Sequence, residues 1–526
     1  MKGRFLILFF VLFVFAGLLR VPHLEERPMH HDEANQAYRF GQLLETGKYV
    51  YKAEDHHGPT LYYFTLPFAW VSGAKTFAQT TEFTYRSVPL FFGILLLLSL
   101  YFLRRELGDF TVLWSLFFTG ISAAIAFYNR FYIQESMLLF FTFWALISGW
   151  KAWVGLSKKW AVVFGLSVGL MFATKETAIL AYAAMFGSAL ICFLLFSESG
   201  KKIEMLRLRL PLLLWVGLPA LAVFLLFFSS FFTHFEGLKD AILAFKIYFA
   251  RGVGQNTDHV HPWYYYLKIL LYHHNTSGPV WSEALLFGLG LLGGILILLK
   301  KIPAYCSLGF ARFVLFYTLL LTLIYSFIAY KTPWCLISFL HGWILLAGIA
   351  VASIFYRLRS KKWAQSLVLL LLLIGSFFQI RVLYYSVFRY SADSTRNPYA
   401  YVHTSPMFFK LVAQIDTLAS LSERKNNIYI QAVLPPSKTW PLPFYLRKYP
   451  VLGFWTPENL PPTEPLPDLI ISDGETSIPP DYFTQYFGLR ENVILQLHIS
   501  PTLWEKYIQQ KIDEQKKNNI DSKSTE

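Results

Sequence analysis

The chain has 526 residues, of which 55% are hydrophobic, 18% aromatic and 15% charged. That balance excludes a disordered chain, and three scattered cysteines (Cys192, Cys306 and Cys335) exclude a disulfide scaffold or a zinc-type spacing. A net charge of +14 would suit a nucleic-acid binder, a class that the placement of the charges removes.

In chain order, "MKGRFLILFFVLFVFAGLLR" has a charged start and an apolar middle, and no small-residue cleavage site follows before Arg20 and Pro22. It reads as a retained signal-anchor helix. Apolar blocks of about 15–20 residues, long enough to span a bilayer, recur as far as residue 380. They predict about eleven spans, at 4–19, 87–103, 110–127, 136–150, 160–174, 177–196, 211–231, 284–299, 313–330, 335–356 and 363–380. Two long outer loops follow from this, 20–86 and 232–283. In the first, "DEANQAYRFGQLLETG" has Asp32 near a helix start and Gly47 at its stop. The tail changes character. "NNIYIQAV" and "DLIISDG" read as strands, "PFYLRKY" as a helical turn and "LWEKYIQQKIDEQKK" as a last helix. The expected organisation is a transmembrane domain over 1–385, an extracytoplasmic α/β domain over 386–512 and a polar tail over 513–526.

Charge sets the orientation. Alternate loops, counted from the N-terminus, hold 18 basic residues against the four acids Glu106, Asp109, Glu198 and Glu204. That excess equals the whole net charge, so the remaining chain is neutral. A positive-inside bias accounts for the high pI without a nucleic-acid surface. The expectation is an α-helical multi-pass protein of the plasma or inner membrane, with its N-terminus cytoplasmic and its C-terminal domain outside.

The outer links collect the reactive side chains. Asp32 and Glu33 open the first loop, where a carboxylate can cap a helix or act as a base. Glu135 follows Arg130 in "YNRFYIQE", Lys175 and Glu176 fill the short turn "TKE", and Lys331 lies in "YKTPW" beside Pro333 and Trp334. One such lysine is ordinarily an interfacial snorkeler. Two lysines and an arginine in separate links, facing a carboxylate loop, suit a phosphate or pyrophosphate head group while a carboxylate activates an acceptor. His30, His31, His56 and His57, with His259, His261, His273 and His274 in the second loop, could hold a divalent metal beside Asp32 or Glu33. No HExxH or comparable ligand spacing is present, and hydrogen bonding to a sugar or phosphate is the other reading. "HPWYYYLKILLYHH" suggests a helix in the interface that guides a prenyl chain, stacks a sugar or simply anchors the loop.

Taken in order, "HHDEANQAYRFGQLLETGKYVYKAEDHHGPTLYY", "TKETA", "HVHPWYYYLKILLY", "YKTPW" and "WPLPFYLR" resemble the GT-C glycosyltransferases over nearly the whole chain. That superfamily includes the protein O-mannosyltransferases and the lipid A aminoarabinose transferase. The set is most similar to a bacterial and archaeal subgroup labelled as associated with lipid-linked oligosaccharide flipping. The resemblance implies an inverting, mannosyltransferase-like transfer on the outer face, with no certain cofactor. Its donor would be a polyprenyl-phosphate sugar, and its acceptor a hydroxyl of a protein, lipid or glycan. It implies Asp32 as general base, Glu33 as second choice, and Glu135 at a second acidic site where relatives more often carry aspartate. Lys175, Lys331 and Arg447 would meet the donor phosphate, the arginine only if the tail folds back over the membrane mouth. Arg130, His57, Tyr62 and His261 would line the substrate site. The rival is a lipid-linked-sugar binding component of a flippase or transporter. Spans almost free of ionisable residues, His341 excepted, favour surface chemistry over translocation. A scaffold built on a degenerate enzyme would have lost the acidic pair, which is present here.

Overall fold

The computed structural model describes residues 2–53, 57–197, 202–252, 259–275, 277–462, 464–474 and 478–523. Expectations that involve His56, Glu198 and Lys201 lie outside them. Among the described residues, seven helices are long and apolar enough to cross a membrane: Glu82–Leu107, Glu135–Gly155, Ala178–Phe196, Leu206–Phe228, Leu308–Phe327, Pro333–Arg357 and Lys362–Arg389. Gly3–Leu18, Asp109–Ile121 and Ala284–Leu298 are shorter apolar helices. The segment expected as the span 160–174 is the helix Lys158–Thr174, packed between Glu135–Gly155 and Leu212–Phe228.

An 18-residue stretch of Pro333–Arg357 is fully enclosed by the bundle, whereas Leu206–Phe228 buries few of its residues, which suits a helix with one lipid-facing side. Ala284–Leu298 reaches the central helix through small residues. A Cβ on Gly293 would lie 2.1 Å from the Leu346 carbonyl oxygen, so the two backbones touch. The expected span 110–127 divides at Ser122, where ψ is 119° between the helices Asp109–Ile121 and Ala123–Tyr128. Backbone amides freed inside an apolar bundle need partners. Glu283 supplies one, accepting from the Ala124 N–H at 2.9 Å while Ser122 donates to it at 3.2 Å and Gln379 at 2.9 Å.

The loops sort into two groups. At one end Ser307 N–H donates to the Glu106 carbonyl (2.7 Å), Trp150 to the Glu106 carboxylate (3.0 Å) and Arg209 to the Trp153 carbonyl (3.0 Å). These are the basic loops. The links carrying Asp32, Glu135, Lys175 and Lys331 gather elsewhere, around a shared cavity and its rim.

The tail builds a mixed sheet from β1 (Ile430–Val433), β2 (Leu452–Trp455), β3 (Leu469–Ser472), β4 (Phe483–Arg490) and β5 (Val493–Ile499), in the order β2-β1-β3-β5-β4. β1 runs parallel to β2 and β3, and β5 antiparallel to β3 and β4. Helix Phe408–Leu421 buries Phe408, Leu411, Ile415 and Leu418 on its sheet-facing stripe, at helical spacing. The α/β character and the last helix, Pro501–Lys523, match the sequence reading. The tail does fold back. Tyr445 OH accepts from Met29 N–H (2.9 Å), and Tyr128 OH donates to the Tyr399 carbonyl (3.0 Å).

Candidate active site

The helix His31–Thr46 begins with a reciprocal cap. His30 Nδ1 accepts the Asp32 N–H (3.0 Å), and Glu33 accepts the His30 N–H (3.0 Å). His30 is therefore the N-cap, where the sequence had suggested Asp32. Its Nε2 lies 3.1 Å from the Tyr401 carbonyl, which fits the neutral tautomer with the proton on Nε2. Gly47 ends the helix in the left-handed region at φ 66°, as read from the sequence.

Adjacent helical residues point about 100° apart, and the acidic pair divides accordingly. Glu33 is fully buried and takes donors on both oxygens: Arg27, Arg86 and the Tyr132 N–H on Oε1, Arg86 and the His30 N–H on Oε2, all between 2.9 and 3.0 Å. Burial alone would raise its pKa, but the two guanidiniums outweigh it and hold the carboxyl far below the usual range. Asp32 instead lines a cavity of about 1300 Å³. Its burial also acts upward, and His30, His31, His57 and Lys175 together hold its carboxyl below the usual value. Asn35 and Gln36, three and four residues on, share that wall.

Two further links reach the same cavity. Glu135 begins the helix Glu135–Gly155 and pairs with Lys175. Burial alone would lower the lysine, but Glu135 overcomes this and raises it. Among the described residues, the other Glu135 oxygen, Oε2, is buried without a hydrogen-bond partner. Glu176 accepts from His57 Nδ1 (2.9 Å) and from Tyr51 OH (3.1 Å). The loop at residues 57–60 is pressed on this turn. A Cβ on Gly58 would fall 2.1 Å from the Ala173 carbonyl oxygen, and Thr60 donates to Thr174 at 2.8 Å. Facing these polar groups is an apolar wall of Phe245, Phe249, Leu320, Leu323, Ile324 and Phe327.

The remaining predicted residues lie off this cavity. Arg130 donates to the carbonyls of Arg20, Pro22 and His23, and Arg447 to those of Phe77, Thr80 and Phe444. Lys331 donates to the carbonyls of His261 and Ile328, and burial lowers its pKa. Tyr62 is buried and donates to Gln36. His261 stacks on Tyr265 at 4.2 Å, beside a second, smaller cavity. Among the described residues no three His, Cys, Asp or Glu side chains gather as a metal site. Glu176, Asn35 and Gln36 were not singled out from the sequence as site residues. The signal for Gln36 and Asn35 was their helical spacing from Asp32, and for Glu176 its place in a turn too short to bury it elsewhere.

Residues 42–238 match the family model described as dolichyl-phosphate-mannose-protein mannosyltransferase. No curated protein matches the chain. Among solved structures, it is similar to ArnT from Cupriavidus metallidurans bound to undecaprenyl phosphate, with 14% identity and a TM-score of 0.57 over 96% of this chain and 99% of that one. It is also similar to the Archaeoglobus fulgidus oligosaccharyltransferase tethered with an acceptor peptide, with 11% identity and a TM-score of 0.54 over 87% of this chain and 64% of that one. The chain thus has a GT-C-like fold, as the order of its motifs implied.

Proposed function

We propose that the chain is a membrane glycosyltransferase that moves a sugar from a polyprenyl-phosphate donor to an acceptor hydroxyl on the outer face, with inversion. The observation that carries this reading is the two-sided cavity. Asp32, the Glu135–Lys175 pair and the His57–Glu176 pair face an apolar wall, a lining that suits a ligand with a phosphorylated head and a hydrocarbon tail. The neighbour bound to undecaprenyl phosphate and the partial match to a mannosyltransferase family support the same class of donor.

In this reading the acceptor oxygen attacks the anomeric carbon as the carbon–oxygen bond to phosphate breaks. The acceptor proton passes to Asp32, and the electron pair leaves on the lipid phosphate. That leaving group is already activated, so the site has to place the hydroxyl and stabilise departing charge. Glu135 holds Lys175 at the cavity wall, where the ammonium can face that charge. Glu33 serves as the buried anchor of the loop that presents Asp32. Residues 386–512 form the outer domain that covers the membrane mouth, with Arg447 as a clamp on the first loop.

The test is sugar transfer from a panel of short-chain polyprenyl-phosphate sugars by the purified protein, wild type beside Asp32→Asn. Label should reach an acceptor or water with wild type only, while the variant keeps its thermal stability. Tight donor binding without turnover, equal in the two proteins, would replace the transferase with a lipid-sugar carrier.

A further inference from the structure

The proposed donor is an anion, yet the cavity that would hold it is short of positive charge. Among the described residues lining it, Lys175 is the one permanent cation, and its ammonium is tied to Glu135. Three carboxylates, Asp32, Glu135 and Glu176, share the same lining. Of the other cations that the sequence offered, Arg130 and Arg447 donate to backbone carbonyls away from this wall, and Lys331, at the cavity rim, spends its ammonium on the carbonyls of His261 and Ile328. A phosphodiester entering here would meet net repulsion unless another side chain donated to it.

His57 fills that need. We propose that His57, oriented by Glu176, donates to the phosphate of the lipid-linked donor, with Glu176 as a positioning residue that does not touch substrate. The inference rests on the reading of the cavity as a lipid-phosphate-sugar site. Nδ1 of His57 is fixed on Glu176 at 2.9 Å, which sets the ring plane. An imidazole carrying both protons makes the His57–Glu176 pair neutral and turns Nε2 into a donor. The support is rigid. Glu176 is buried and its second oxygen is held by Tyr51 at 3.1 Å. Gly58, next to His57, lies so close to the Ala173 carbonyl that no side chain fits between them. Among the described residues, Glu176 is hydrogen-bonded to this ring, Asp32 couples to it electrostatically, and Lys175, Glu135 and His31 line the same cavity.

The experiment compares binding of undecaprenyl phosphate with binding of uncharged undecaprenol by the full-length protein in lipid nanodiscs. For His57→Gln, affinity for the phosphate should fall about tenfold or more, the scale of a lost hydrogen bond to a charged group, with undecaprenol unchanged. His57→Lys should recover most of that loss by restoring a cation. Glu176→Gln should weaken phosphate binding less, and add little in the double variant, because the two side chains act as one unit. Equal losses for both lipids in His57→Gln, or an unchanged phosphate affinity, would overturn the assignment. Wild-type protein that binds no lipid phosphate would sink the parent reading instead.

Discussion

Asp32 and Glu33 are consecutive carboxylates on one helical turn, and their surroundings give them different tasks. Glu33 is fully buried and ion-paired to Arg27 and Arg86, so removing its charge strands two buried guanidiniums. Breaking such a network typically costs about 3–5 kcal/mol. Glu33→Gln should therefore lower the thermal midpoint strongly. The pH dependence has a defined sign. A carboxyl whose folded pKa is depressed contributes stability that is full above its unfolded value, about 4.3, and is lost as pH falls through the folded value. The stability gap between wild type and Glu33→Gln should thus be constant near neutrality and narrow below about pH 4. A melting curve for the variant that matches wild type at pH 7 would show that Arg27 and Arg86 find other partners.

At the level of elements, the chain's readable features were those governed by local rules. Gly47 as a helix stop, the two tail strands β1 and β3, and the "TKE" and "YKTPW" turns follow from backbone freedom, apolar runs and interfacial composition. The break at Ser122 was not legible, because its compensation comes from Glu283, 161 residues away. β2 is four residues flanked by prolines, and β4 keeps an exposed, polar-rich face, so neither carries a strong apolar pattern. Within the site, the sequence brought Asp32, Glu135, Lys175 and His57 to one side of the membrane. It did not show that Arg130 and Arg447 spend their donors on carbonyls, since a guanidinium's partners depend on which backbone lies nearest in space. Gly58 joins the two levels. An alanine there would push a Cβ into the backbone of Ala173 and Thr174, which cannot yield as a flexible side chain would. Gly58→Ala should cost about 1–3 kcal/mol through overpacking and weaken undecaprenyl phosphate binding as His57 is displaced. Thermal melting and lipid binding on the same preparation check both. Normal values in both would mean that the loop and the "TKE" turn are not in register as described.

For the whole molecule, the decisive quantity is the placement of charge rather than its amount. The loops holding the basic excess meet one another at one end, and the links that line the cavity meet at the other, with the apolar helices between. A positive-inside distribution would then put the cavity and the sheet domain on the outer face. That arrangement suits a donor whose prenyl chain is held in the membrane while its sugar is presented to an extracytoplasmic acceptor. It can be read directly by labelling intact cells with a membrane-impermeant maleimide, using single cysteines at exposed positions. The native thiols give the background: Cys306 and Cys335 are buried and Cys192 is half-buried. Asn426→Cys, on the exposed surface of the sheet domain, should label without permeabilisation. Lys361→Cys, in the basic loop between Pro333–Arg357 and Lys362–Arg389, should label only after the membrane is opened. The reverse pattern would turn the molecule over and place the cavity on the cytoplasmic face. The donor and acceptor would then have to be those of the cytoplasm, and an outer-face transfer could not stand even if Asp32 proved to be the base.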